Sequence, residues 1–158
     1  MTPAVRAAER AGVPFELLAY EHDPRAPSYG QEAAEALGLA PATVFKTLVV
    51  KVDGRLSVAV IPVSCSLDLK AFATTAGGKR AELAAPAEVE RTTGYVLGGV
   101  SPLGQRKALP TFVDASALLH PRVHVSAGRR GLEIALTPAD LLALTGGRTF
   151  AIARHAST

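Results

Sequence analysis

A chain of 158 residues, 48% hydrophobic and 20% charged, with a formal net charge of +3 and a pI near 9.3, can build one domain around a single sizeable core, and it has no apolar run long enough to span a bilayer. Arg6, Glu9 and Arg10 fall where a secretion signal needs an apolar stretch, and the single cysteine, Cys65, admits no internal disulfide, so a cytoplasmic protein is expected. Four scattered histidines and one cysteine offer no metal-ligand spacing, and neither a metal nor another cofactor is expected.

Thr2-Pro3 is a helix-start signal, with Thr2 as N-cap, and that helix is expected to stop at Gly12. VPFELLAY (13–20) reads as a strand, EHDPRAPSYG (21–30) as a proline-punctuated loop, and QEAAEALG (31–38) as a short helix ending on Gly38. VFKTLVVKV and RLSVAVIPV, two β-branched runs around Asp53-Gly54, predict a hairpin with Val52 opposite Arg55 and Lys46 opposite Ile61. Ser66 is expected to cap a helix through LDLKAFATTA (67–76), ended by Gly77-Gly78. KRAEL (79–83) is a candidate short strand, Pro86 opens the helix PAEVERTT (86–93), and YVLGG (95–99) reads as a strand end leading into a loop. TFVDA (111–115), RVHVSAG (122–128) and LEIAL (132–136) predict three strands. Thr137-Pro138 repeats the helix-start signal, with a stop at Gly146-Gly147, and RTFAIAR (148–154) predicts a last strand. Helices and strands are interspersed without regular alternation, and hairpins are present. This pattern predicts a mixed α/β fold over 1–158, with a barrel-like β-sheet flanked by helices.

The positive charge is mild but unevenly placed. Lys79-Arg80, Arg106-Lys107 and Arg129-Arg130 are paired cations, each within a few residues of glycines at 77–78, 104, 128 and 131. Glycine-rich backbone can come close to a phosphate, so these six are candidate contacts to a polyanion, the alternative being a solubilising surface.

Lys46 raises a sharper question. Alternation along a strand puts it on the face of Leu48, Val50 and Val52, at the hairpin's open end. Two readings stay open: a stem lying on apolar surface with its ammonium in water, or a cation at the mouth of a pocket, desolvated or holding an anion. GYVLGGVSPLG (94–104) and SAGRRG (126–131) are glycine loops whose N–H groups could bind an oxyanion. Gly99 to Gly104 has P-loop spacing, but Gln105-Arg106 follows where Lys and Ser or Thr are required, which excludes that nucleotide site. Ser101 is not in a Gly-x-Ser-x-Gly elbow, Cys65 is expected to be an inert small residue, and His22 has no evident partner.

Taken together, TPAV at the N-terminus, AYEHDP, LGL, VFKTLVV, LDLK, TGYVLGGVSPLGQRKALPTFVD and VSAGRRGLEI resemble, in the same order and over nearly the whole chain, the YbaK/ProX family of aminoacyl-tRNA deacylases, and within it the branch acting on Cys-tRNA(Pro). The resemblance implies the fold of the editing domain inserted in some bacterial prolyl-tRNA synthetases. It implies removal of cysteine from Cys-tRNA(Pro), and from Cys-tRNA(Cys) in vitro. The partner would be the acceptor end of aminoacyl-tRNA, with prolyl-tRNA synthetase as a second candidate. By the same resemblance Lys46 is the active-site lysine, Tyr20 and Tyr29 are aromatic pocket positions, and Gly99, Val100 and Ser101 form the glycine loop facing the aminoacyl end. Ser126, Gly128 and Glu133 belong to the second loop. Tyr29 stands where this branch usually has phenylalanine, and Glu133 where a close relative has aspartate. The implied mechanism uses the substrate's own thiol as nucleophile. The alternatives are water-mediated hydrolysis of another mischarged tRNA such as Ala-tRNA(Pro), or a non-catalytic module binding tRNA or a synthetase.

Overall fold

A computed structural model describes residues 1–26 and 28–155. α1 (Pro3–Ala11) begins where the Thr2-Pro3 signal put it: the Thr2 hydroxyl accepts the Val5 N–H at 3.2 Å, and Gly12 ends the helix in the left-handed region. β1 (Glu16–Ala19) follows, then α2 (Tyr29–Leu37). α2 starts earlier than its apolar pattern suggests, because Ser28 Oγ caps it by accepting the Gln31 N–H at 3.4 Å. β2 (Phe45–Val52) and β3 (Arg55–Pro62) form the expected hairpin, with Val52 opposite Arg55 and Lys46 opposite Ile61. Asp53 and Gly54 have positive φ, 48° and 84°, as a two-residue type I′ turn requires.

The next stretch departs from expectation. Ser66 caps nothing: Cys65–Leu67 form β4, and Asp68 caps α3 (Leu69–Thr75) by accepting the Ala71 N–H at 3.0 Å. A carboxylate at a helix N-terminus is favoured by the helix dipole, and pairing of 65–67 with the last strand leaves those residues extended. β5 (Ala81–Leu83) and α4 (Pro86–Thr93) come next. YVLGG is a turn rather than a strand end, closed by Gly99 N–H donating to Val96 O at 2.9 Å, with Gly98 at φ 86°. β6 (Thr111–Asp114), β7 (Val123–Arg129), β8 (Leu132–Leu136) and α5 (Pro138–Thr145) lie close to their expected places. The expected last strand is two, β9 (Arg148–Phe150) and β10 (Ala153–His155), in different sheets. The Asp114 carboxylate accepts the N–H groups of both Ile152 and Ala153 at 3.0 Å and turns the chain between them.

β5-β2-β3-β6-β9 form a mixed sheet, antiparallel around the hairpin and parallel at β3/β6 and β6/β9. β1-β8-β7 form an antiparallel sheet, and β4 pairs with β10. A parallel bridge between Val44 and His124 ties the two larger sheets at the start of β2. The described sheets stay open, so the barrel-like element of the expectation is two sheets joined at one corner.

β3 is the centre of the molecule. Val58 and Val60 face a core shared with Val5 and Ala8 of α1, Leu141 of α5, and Val125 and Ile134 of the smaller sheet. Ala59 and Ile61 face a second core with Phe72 of α3 and Phe112 of β6, whose rings meet edge-on at 5.4 Å. Burial on both faces explains why RLSVAVIPV is nearly continuous in apolar residues rather than alternating. Lys46 lies where the second core runs out, across from Ile61.

Candidate active site

A cavity of about 290 Å³ opens at that end of the hairpin. β2 contributes the consecutive residues Phe45, Lys46, Thr47 and Leu48. Neighbours in a strand point to opposite faces, so a run of four lining residues means that the cavity lies along the edge of β2. That edge is open there because β5 pairs only with Val50–Val52. Tyr20 enters from the end of β1, Ser126 from β7 and Glu133 from β8. Tyr29 at the start of α2 and Leu97, Gly98 and Val100 of the glycine loop complete the opposite wall.

Lys46, Tyr20, Tyr29, Val100, Ser126 and Glu133, all singled out from the sequence, therefore converge on one hollow. Gly99, Ser101 and Gly128 are not in its lining. The Gly99 N–H, expected as an oxyanion donor, is already bonded to Val96 O, and a Cβ there would come within 2.8 Å of Arg129 Cα. Gly99 thus serves close packing of the loop on the β7–β8 turn. Ser101 is fully buried, with its Oγ accepting the Leu103 N–H at 3.2 Å. Among the described residues, the N–H groups of Val100 and Ser101 make no hydrogen bond within the protein. Gly128 sits in a bulge between Ser126 and Arg129, and its N–H donates to Ser126 Oγ at 3.2 Å, fixing that side chain. The loop is braced from below by Tyr95, whose hydroxyl donates to Leu103 O at 2.6 Å.

Sequence reasoning missed Thr47, and it put forward the 94–104 loop without assigning Leu97 or Gly98 to the site. Thr47 Oγ1 is a buried hydroxyl with no hydrogen-bond partner among the described residues. Strict alternation had put Thr47 on the face away from Lys46, and only the edge-on approach of the cavity brings both to it.

The electrostatics of the hollow are set by desolvation. Burial lowers the Lys46 pKa from the usual lysine value, and the nearby Cys65 sulfur acts weakly the other way. Glu133, only 6% exposed, is pushed up to about 8 by burial. Burial, then the Glu133 and Glu32 charges, raise the Tyr20 pKa. No ion pair joins Lys46 to Glu133 among the described residues. The cavity therefore presents a desolvated cation and a carboxyl that is largely neutral at pH 7, separated and both available to a ligand. No group of three or more His, Cys, Asp or Glu side chains with metal-binding geometry occurs among the described residues, and none of their helices is long and apolar enough to cross a membrane.

The six candidate cations are exposed but scattered. Lys79 and Arg80 donate their backbone N–H groups to the Asp53 carboxylate, at the hairpin's closed end and away from Lys46. Arg106 and Lys107 donate theirs to Thr93 O and Thr92 O at the end of α4. Only Arg129-Arg130, at the β7–β8 turn, directly abuts a wall of the cavity.

Comparison with known proteins fits this geometry. Residues 23–144 match the model of the aminoacyl-tRNA editing domain. EbsC of Enterococcus faecalis, named as a proposed Cys-tRNA(Pro)/Cys-tRNA(Cys) deacylase, is 38% identical over 151 residues, covering 93% of this chain and 90% of EbsC. ProXp-y of Escherichia coli K12, named as a multifunctional Ser/Thr-tRNA deacylase, is 30% identical over 138 residues, covering 83% of this chain and 79% of its own. A solved structure of a proposed trans-editing enzyme for prolyl-tRNA synthetase superposes with a TM-score of 0.83 at 29% identity, covering 98% of this chain and 99% of that one. With the match extending across the hairpin, the glycine loop and the β7–β8 turn that build the cavity, the chain belongs to the aminoacyl-tRNA editing domain family.

Proposed function

We propose that the protein is a trans-editing deacylase that removes cysteine from Cys-tRNA(Pro), and from Cys-tRNA(Cys) in vitro, using the thiol of the substrate itself. The observation that carries this reading is the make-up of the cavity wall. It brings an ammonium, a carboxyl and glycine-loop backbone together, yet no histidine or cysteine among the described residues lines it. Its serines are engaged structurally, Ser28 as the α2 cap and Ser126 as acceptor for Gly128 N–H. A hydroxyl without a base is a poor nucleophile, which favours a nucleophile carried in by the ligand. The greater likeness to EbsC than to the Ser/Thr-acting ProXp-y points in the same direction.

In this mechanism the cysteinyl thiolate attacks its own ester carbonyl. A sulfur–carbon bond forms, the ester carbon–oxygen bond breaks, and the terminal ribose oxygen leaves on the tRNA with the proton that the thiol gave up. The product is a cyclic thioester that water later opens. The protein's work is to hold the folded-back conformer and stabilise the oxyanion. Val100 lines the cavity, and its N–H is the donor we assign to the oxyanion. Lys46 anchors the ribose or terminal phosphate, a role that suits a charged ammonium at the cavity mouth. Glu133 and Ser126 face the amino-acid portion. Selection of tRNA(Pro) would come from prolyl-tRNA synthetase as partner.

The test is deacylation of a panel of Cys-, Ser-, Thr- and Ala-charged tRNA by the purified protein, with Lys46→Ala alongside. The cysteine ester should turn over at least about a hundredfold faster than the serine ester, and Lys46→Ala should lose about a hundredfold or more while staying folded. Equal turnover of cysteine and serine esters would remove the thiol route in favour of attack by water. Binding without release of any amino acid would make the protein a non-catalytic module.

A further inference from the structure

The guanidinium of Arg130, read from the sequence as a phosphate contact, is engaged elsewhere. It lies over the Tyr29 ring, Cζ 4.9 Å from the centroid, and its Nε–H donates to Leu97 O at 2.8 Å. Gly98 closes the stack. A Cβ on Gly98 would fall 2.8 Å from both Arg130 Nε and Tyr29 Cδ1, so all three groups are already in contact. Three distant segments meet in this clasp: the first turn of α2, the Val96–Gly99 turn and the tip of the β7–β8 hairpin. Tyr29, Leu97 and Gly98 all line the cavity, and Arg130 does not.

We propose that Arg130 is a positioning residue that, through its stack on Tyr29 and its bond to Leu97 O, locks the α2 wall against the glycine loop and so fixes the width of the cavity. The proposal rests on the deacylase reading for its kinetic consequence, but not for its structural one. A planar guanidinium suits the task. It lays a flat face on the aromatic ring and, at right angles to that contact, holds an in-plane N–H for a carbonyl, a pre-set geometry that a lysine ammonium on its flexible stem does not keep. The loop that carries Leu97 and Gly98 also carries Val100. An unlocked Tyr29 therefore lets the Val100 N–H drift from the reacting carbonyl, and errors of about 1 Å at such a site cost about a hundredfold in rate.

The experiment compares Arg130→Gln, Arg130→Lys and Gly98→Ala with the wild type on two esters, cysteinyl-tRNA and the phosphate-free 3′-cysteinyl-adenosine. The Tyr29 ring resonances are followed by NMR in ring-labelled protein. We expect kcat to fall by about ten- to a hundredfold on both esters in Arg130→Gln, no rescue by lysine, and the same loss in Gly98→Ala, which keeps the arginine but wedges the clasp. The Tyr29 signals should shift in all three. A loss confined to the phosphate-bearing ester and restored by lysine would overturn the proposal and return Arg130 to phosphate contact. Unchanged Tyr29 signals in Arg130→Gln would overturn it too. If the wild type cleaves neither ester, the deacylase reading fails, and the Tyr29 spectra still decide the clasp.

Discussion

At Glu133 a carboxyl group occupies the middle strand of a three-stranded sheet with 6% of its surface exposed, and burial raises its pKa from an ordinary 4.5 to about 8. The identity of the residue was legible in the sequence. Its protonation was not, because desolvation depends on what β1 and β7 place on either side. The shift has a sign that can be tested. The folded protein keeps a proton that the unfolded chain releases above pH 4.5, so stability falls as pH rises from about 4.5 to about 8 and levels off above. Glu133→Gln should remove that slope, which amounts to at most about 5 kcal/mol by linkage. Urea denaturation at pH 5, 7 and 9 checks this: wild type and variant changing in parallel would show that Glu133 titrates normally in the fold. Thr47 makes the complementary point. Its hydroxyl, without a partner among the described residues, has no signature in the sequence, since threonine in a strand is ordinary.

Among the elements, the β2–β3 hairpin was readable to the register, because a two-residue turn and a β-branched pattern are local and fix each other. β4 was not. Its pairing of Cys65 with His155 closes across most of the chain, and no local feature of CSL demands a strand. Asp114 links the two cases. Its Oδ1 accepts from Ile152 and Ala153, and its Oδ2 from the Ser116 N–H at 3.2 Å and hydroxyl at 2.5 Å. One carboxylate therefore ends β6, starts a 3-10 turn at Ala115–Leu119 and divides β9 from β10. Asp114→Ala should cost about 3 kcal/mol, the worth of losing charged hydrogen bonds while orphaning buried N–H groups. Hydrogen exchange should show the loss first as lowered protection of β4 and β10. Unaltered protection there would mean that the two strands do not depend on Asp114.

Across the whole molecule, the six paired cations do not form one face. Lys79-Arg80 lie at the far end of a hairpin whose strands are eight residues long, roughly 25 Å from Lys46, whereas Arg129 shares its turn with the cavity wall. A polyanion entering by its acceptor end should feel these groups unequally. Replacing Lys79 and Arg80 together by alanine should leave tRNA affinity within about twofold. Arg129→Ala should weaken binding and reduce the slope of log affinity against log salt by about one. Equal losses from both would place the tRNA along the hairpin instead.

What the sequence by itself determined is what neighbouring residues decide among themselves. Thr2 and Thr137 cap helices, Asp53-Gly54 turns the chain, and alternation seats Lys46 across from Ile61. The ordered motifs that resemble one family are likewise a property of the string. Only the tertiary structure decided that the cavity runs along an open strand edge, that Gly99 and Ser101 support the loop from outside its lining, that Glu133 is desolvated, and that Arg130 clasps Tyr29 to Leu97. Each of these depends on groups that the chain separates and packing alone brings within a few ångströms. Contact energies and desolvation act over that range, and the order of residues carries no direct record of them.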